Sequence, residues 1–390
     1  MDRKKPSLFE LSTAYLKLGL TAYGAVMLQE LRSSFLKRGW ITEKEFEEGL
    51  GMVQLYPGPV MFNLATYVAY RIGGVAGALL GTLFFLLPTF LLMLFLSYIY
   101  FNFKQVAWLK SLFPPLEGMV LGVLIHISLD FARKFSSTLK KFLMALFAFL
   151  SVLLNVNGAV VVAVSFVLGT FLFKSIEGKR EFNVSNVSVD YLKLFLLGAP
   201  LLAALLVGLV SKGKLAELLL SMVKIGSVAF GNGFTILPLL QQEVVSYHHW
   251  LSLKEFTDGI AFGQITPGPI LITSTFIGYK VCGVLGGMVA TFGMFYPSFF
   301  FTLLFADIYS KIKELTLIRR GISAVLSAFT GMLFFVVLTI LKFLVSYPFS
   351  FIWVAYAFLS VRYLRLGVLP LFLVGLTFKL LLYIFGIRFF

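Results

Sequence analysis

The chain has 390 residues, 59% of them hydrophobic and only 13% charged, with a formal net charge of +15 and a mean hydropathy of +0.93. Soluble domains carry roughly 25% charged residues, and runs near the ~20 apolar residues that cross a bilayer recur along this chain. The composition therefore predicts an all-α polytopic membrane protein, and the long unalternating apolar runs exclude an outer-membrane barrel.

The first 22 residues of the main apolar pattern, 8–29, predict a helix carrying Lys17. Thr42-Glu43-Lys44-Glu45 has the spacing of a capped helix start. Phe46, Leu50 and Val53 continue it as an apolar stripe. Tyr56-Pro57-Gly58-Pro59 then breaks the pattern, with Gln54 three residues before its first proline. Two prolines around a glycine cannot continue a helix, because each proline lacks an N–H and disfavours the α region before it. Val60 to Tyr70 is too short to span alone. Arg71 and Gly73-Gly74 open a long apolar run with Pro88 as its expected bend.

Pro114-Pro115-Leu116-Glu117 starts the next apolar helix, and Glu117 is the acidic candidate for proton coupling. A carboxylate resting near a positive helix end is the plainer role for it. Arg133, Lys134, Lys140 and Lys141 form a basic loop before apolar stretches near 142–154 and 158–173.

From residue 215 the first pattern returns. Lys17-Leu18-Gly19 answers to Lys224-Ile225-Gly226, Gln54 to Gln264, Tyr70-Arg71 to Tyr279-Lys280, and Pro88 to Pro297. The second break is Thr266-Pro267-Gly268-Pro269. The offset stays between 207 and 210 residues over about eighty positions, the mark of an internal duplication. The expected organisation is a first repeat at 1–174, a polar linker at 175–190, and a second repeat at 191–390 with an extra leading span. The basic clusters do not fall on one side under simple alternation. Broken, re-entrant helices at the Pro-Gly-Pro segments restore the count, giving roughly 10–13 membrane segments and allowing the halves opposite orientations.

Most of the net charge follows from lysine and arginine collecting in cytoplasmic loops. The basic residues are scattered among membrane segments, which argues against a nucleic-acid partner; the bilayer is the expected partner. Cys282 is the sole cysteine, so no intrachain disulfide forms. His248 and His249 are adjacent, without the i, i+4 spacing of a metal site, and read as a loop pair. No cofactor is expected. Met1 to Pro6 is short and charged, with no signal-peptide cleavage pattern after it.

Matched helix breaks in two halves are the sequence pointer to a transporter's binding site. Pro59 and Pro269 suit the first position of a short helix, where a missing N–H costs nothing. The amides of Val60 to Phe62 and Ile270 to Ile272 would then face the break, and Gly58 and Gly268 let a ligand approach the backbone. Such helix ends hold anions. Gln54, Asn63, Asn232, Gln264, Thr266 and Thr273 are neutral hydrogen-bonding groups near the breaks. Lys17 and Lys224 sit at one repeat position and could offset two negative charges, although Lys17 is close enough to a helix end to snorkel. Arg71 and Lys280 are expected at the surface. Glu30 and Glu243 follow the first helix of each repeat and suit pairing with nearby cations.

The glycine-rich signatures, the Pro-Gly-Pro breaks and the duplicated layout together resemble the chromate transporter family in its long two-half form, best at 15–90 and 222–300. That family's first half usually reads Phe-Gly-Gly-Pro followed by a histidine. Here it reads Tyr23-Gly24-Ala25-Val26, with Gln29 at the histidine's place. The second half keeps Phe230-Gly231-Asn232-Gly233 and Leu237-Pro238, with Asn232 in place of a glycine. The resemblance implies Gly24, Gly231 and Gly233 as further site candidates. It also implies export of the chromate dianion, with sulfate as its look-alike, across a bacterial or archaeal cytoplasmic membrane. A homodimer is compatible with it. No paired intramembrane acids, HExxH or serine–histidine constellation suggests an enzyme.

Overall fold

The computed structural model describes residues 6–21, 23, 26–173, 191–231, 233–312 and 316–385. Every regular element among them is helical. The first repeat contains α1 (Leu8–Thr21), α2 (Val26–Lys37), α3 (Glu43–Met52), α4 (Val60–Phe103), the single turn α5 (Ala107–Lys110), α6 (Phe113–Phe135), α7 (Leu139–Leu153) and α8 (Gly158–Leu172). The second contains α9 (Tyr191–Val210), α10 (Lys214–Val228), α11 (Leu237–Gln241), α12 (Leu253–Ile265), α13 (Thr273–Ile312), α14 (Thr316–Leu344), α15 (Ser350–Arg362) and α16 (Val368–Ile384). The expected linker, 175–190, lies outside the described residues.

Among the described residues, five stretches are long and apolar enough to cross a membrane: Val60–Phe103, Ala107–Phe135, Leu192–Val210, Ile270–Asp307 and Leu317–Leu344. Three shorter apolar helices, α8, α15 and α16, accompany them. Leucines and phenylalanines such as Leu83, Phe95, Phe171 and Phe378 lie exposed on the outside, as a lipid-facing surface requires.

The duplication is visible in three dimensions. α3 and α12 both begin with complete capping boxes, Thr42 with Glu45 and Ser252 with Glu255. In each, the side-chain oxygen and the carboxylate satisfy helix-start N–H groups reciprocally. The expected helix over 8–29 is interrupted, since α1 ends at Thr21 and α2 begins at Val26.

α4 and α13 are the central elements. Each is two arms joined at a non-helical pair, Gly73–Gly74 and Cys282–Gly283. Gly74 has φ +63° with ψ −153°, and Gly283 has φ +59° with ψ −147°. Only glycine adopts this backbone without strain. The arms fold back on each other, with residue 81 packed against Ala69 across the bend. The sharp turn therefore belongs to the glycines. Pro88 and Pro297 lie inside the helical second arms, where the sequence had suggested the bend. From the bend to Pro59, and from the bend to Pro88, is about fourteen residues each way, or roughly 20 Å. Both prolines thus lie at similar depth.

The halves interlock. α1 packs on α4 and α10 on α13, while α4 and α13 pack together. α6 packs on α15 of the other half, and α14 on α7 and α8. Close backbone approach makes this possible. Gly19 lies against the Phe85 carbonyl, and Gly226, its repeat partner, against that of Met294.

Candidate functional site

Each Pro-Gly-Pro segment separates two helices, α3 from α4 and α12 from α13. The first is bonded to the opposite half. Gly58 N–H donates to the Ala229 carbonyl, and Val60 N–H donates to the Gly231 carbonyl at 3.1 Å. The first break is thus closed by the chain following α10. Val60 is consequently not one of the free helix-start donors expected of it. Met61 and Phe62 remain first-turn amides without an intrahelical acceptor. In the second break, Ile272 N–H turns back to the Pro269 carbonyl in a 3₁₀ turn. That removes Ile272 from the expected donors too.

Gly58 (φ +134°) and Gly268 (φ +89°) both have left-handed backbone. A β-carbon on Gly58 would meet the Asn63 amide and lie 2.6 Å from Ser298 Oγ. One on Gly268 would lie 2.7 Å from Thr89 Oγ1. Thr89 and Ser298 follow Pro88 and Pro297, so each break faces the proline-containing arm of the other half. Tyr56 strengthens this crossing, donating to Thr302 Oγ1 at 2.9 Å.

The polar atoms here are buried, and several have no hydrogen-bond partner. They are Asn63 Oδ1, Thr89 Oγ1, Ser298 Oγ and both amide atoms of Gln264. Such atoms are costly unless something meets them. Asn63 retains one long donor contact to the Pro57 carbonyl, 3.4 Å. Thr266 and Thr273 spend their hydroxyls on nearby carbonyls, of Gly263 and of Ile270. Pro59, Pro267 and Pro269 are buried, and Pro57 is partly so. Thr89 and Ser298 were missed by sequence reasoning. Their shared place after a duplicated proline was the available signal.

The remaining candidates divide. Gln54 is exposed and donates to the Leu50 carbonyl, unlike its buried counterpart Gln264. Lys17 is exposed on α1. The ammonium of Lys224 is engaged by the buried carboxylate of Glu243, at 2.7 and 2.6 Å. Ser221 also donates to Glu243, at 2.9 Å. Gly231 and Gly233 flank the closing segment, with φ +89° and +85°. Gly24 and Asn232 lie outside the described residues. Arg71 and Lys280 form duplicated ion pairs with the capping carboxylates, Arg71 with Glu45 at 2.8 Å and Lys280 with Glu255 at 3.0 Å. His248 stacks on Trp250, with ring centroids 4.1 Å apart.

Glu117 is buried against α12 and ion-paired to Lys254. It belongs to a second polar cluster that includes Asp258 and Tyr100.

A family model described as Chromate transporter matches residues 9–170 and 216–381. The chain belongs to the chromate transporter family. The two matched segments fall one in each half of the chain, and α9 lies between them. Three relatives span most of the chain. An uncharacterized transporter of Methanocaldococcus jannaschii is 31% identical over 343 residues, 85% of this chain and 84% of its own. A chromate transport protein of Cupriavidus metallidurans is 30% identical over 331 residues, 83% of this chain and 80% of its own. A chromate transport protein of Pseudomonas aeruginosa is 27% identical over 334 residues, 83% and 79% respectively. No solved structure matches. The chain is thus a multi-pass membrane transporter of this family, and membership points to transport of an oxyanion rather than to catalysis.

Proposed function

We propose that this transporter exports chromate across the cytoplasmic membrane, with sulfate as the look-alike it must distinguish. The anion would lodge where the two Pro-Gly-Pro breaks face the arms behind Pro88 and Pro297. One observation carries the reading: buried polar atoms without partners gather at both breaks, on Asn63, Thr89, Gln264 and Ser298. The hydroxyls of Thr89 and Ser298, the Gln264 N–H groups and first-turn backbone amides are donors a tetrahedral oxyanion accepts from, and Asn63, whose unpartnered atom is its oxygen, can redirect the N–H it gives weakly to Pro57. Gln54, at the first break, and Thr266 and Thr273, at the second, belong to the surrounding shell.

Energy favours export. A dianion leaving a cell that is negative inside gains roughly 4.6 kcal/mol per 100 mV. Alternating access would proceed by rocking of the repeats about the α4–α13 contact. Lys17, exposed on α1, is assigned to attracting the anion from a distance, while the charge of Lys224 is cancelled by Glu243.

Labelled chromate and sulfate flux in proteoliposomes tests the proposal. Saturable chromate flux, reduced by Asn63→Leu or Gln264→Leu and competed more weakly by sulfate, is expected. Sulfate flux exceeding chromate flux would reassign the substrate. Saturable flux unchanged by either substitution would remove the breaks from the binding site.

A further inference from the structure

Sequence reasoning raised Glu117 as a coupling group, and the fold gives it a partner. Asp258, on α12, is fully buried, and its Oδ1 has no hydrogen-bond partner. Its Oδ2 accepts from the Tyr100 hydroxyl at 2.7 Å and lies 4.0 Å from Lys254 Nζ. Glu117, on α6, takes the close contact with Lys254, so both carboxyl groups face one ammonium. Two carboxylates drawn to one ammonium repel each other, and a proton kept on one of them removes that repulsion.

The neighbouring cations are already occupied. Lys104 on α4 and Lys280 on α13 both reach Glu255 Oε1, each at 3.0 Å. Burial alone would raise Glu255. The backbone N–H of Ser252 and these two lysines hold it down at about 2 instead. Tyr347, in the turn before α15, is the remaining charged or titratable group acting on Lys254. Asp258 and Glu117 therefore share one ammonium between two carboxylates. Burial first, and the charge of Glu117 second, push Asp258 well above the usual carboxylate range.

The duplication supplies an internal control. Lys44 and Glu48 repeat the Lys254–Asp258 spacing on α3, yet both are exposed. The acid is buried only where α6 packs on α12.

We propose that Asp258 and Glu117 form a proton-binding site whose occupancy changes as the oxyanion crosses. The coupling half of this inference rests on the transport reading above. The bound proton sits on Asp258, whose Oδ1 is free to carry it. It leaves to water past Lys254, whose side chain is 42% exposed. The link to the anion is short. Asp258 lies six residues before Gln264 on the same helix, about 9 Å, and α12 runs directly into the second break.

Two measurements on the full-length protein test it. Infrared difference spectra over a pH titration should show the carbonyl band of a protonated carboxylic acid, lost in Asp258→Asn and kept in Glu48→Gln. In proteoliposomes with potassium and valinomycin clamping the voltage, an outward chromate gradient should drive proton movement read by a trapped pH dye. Asp258→Asn should lose that movement while exchanging labelled chromate at equal concentrations on both sides. Absence of the band overturns the proton site whatever the flux shows. Chromate flux with no proton movement, or with proton movement intact in Asp258→Asn, overturns coupling. A titrating band without any chromate flux would uphold the proton site and refute the transport reading instead.

Discussion

Placing alanine at Gly58 separates a backbone cost from a binding cost. The new methyl would meet the Asn63 amide and stand 2.6 Å from Ser298 Oγ. Both neighbours are side-chain tips, so the fold can absorb the crowding by displacing them. What cannot relax is φ, at +134°. A non-glycine residue held in such a region costs about 1–3 kcal/mol. Gly74→Ala supplies the control, since Gly74 has φ +63° and nothing stands within 4 Å of its β-carbon position. The two variants should therefore lose comparable stability, measured as the detergent-solubilised melting temperature. Chromate flux per folded molecule should collapse in Gly58→Ala, because two proposed anion ligands are pushed aside, and persist in Gly74→Ala. Equal flux in the two would refute the reasoning, as would a Gly58→Ala protein with normal substrate affinity.

Further expectations follow from the ion pairs and helix contacts. Glu243→Gln leaves Lys224 without its counter-ion and should cost about 1–3 kcal/mol, discounted because the lysine side chain is 39% exposed; adding Lys224→Gln should recover most of the lost melting temperature. Ser252→Ala removes the side-chain acceptor for the Glu255 amide and should cost about 0.5–2 kcal/mol in the same assay, without changing substrate competition. Gly226→Ala drives a methyl into the Met294 carbonyl, a backbone atom that cannot step aside, and should cost about 3 kcal/mol, seen as lower yield of monodisperse protein. Lys17→Ala should leave the melting temperature unchanged and lower chromate flux only at low ionic strength, where attraction over a distance is strongest.

Much of the framework was legible because its signals are local. The capping boxes at Thr42 and Ser252 follow from a four-residue spacing, and the structure has both. The duplication follows from fixed offsets, and the interlocked α6–α15 and α14–α7 contacts express it. The bend in α4 was harder. Pro88 is the conventional suspect, but its lost bond is tolerated inside the second arm, while Gly73-Gly74 takes the turn. Contacts between halves were the least legible part. Nothing near Tyr56 announces Thr302, and nothing near Glu117 announces Asp258, since 246 residues separate the first pair. Equivalent sequence positions also hide unequal surroundings. Gln54 and Gln264 read alike, yet one caps its own helix in the open and the other is buried without a partner.

That inequality has a pattern. The features kept in both repeats are backbone devices: the Pro-Gly-Pro breaks, the left-handed glycines at 74 and 283, the capping boxes, and the ion pairs of Arg71 and Lys280. Each is required wherever a helix must start, stop or turn back, so each repeat needs its own copy. The ionisable chemistry is gathered on helices of the second half, with Glu117 of α6 contributed from the first. Lys224 has Glu243 where Lys17 is exposed, and Asp258 is buried where Glu48 is exposed. A symmetric scaffold lets two arms trade places, but two buried charge clusters would double the desolvation cost for one transported ion. Retaining them in one half keeps the rocking framework and halves that cost. On this logic Asp258→Glu, which keeps an acid at the buried position, retains chromate-driven proton movement, whereas Asp258→Asn loses it although Glu48 keeps its carboxylate, because Glu48 is exposed to water.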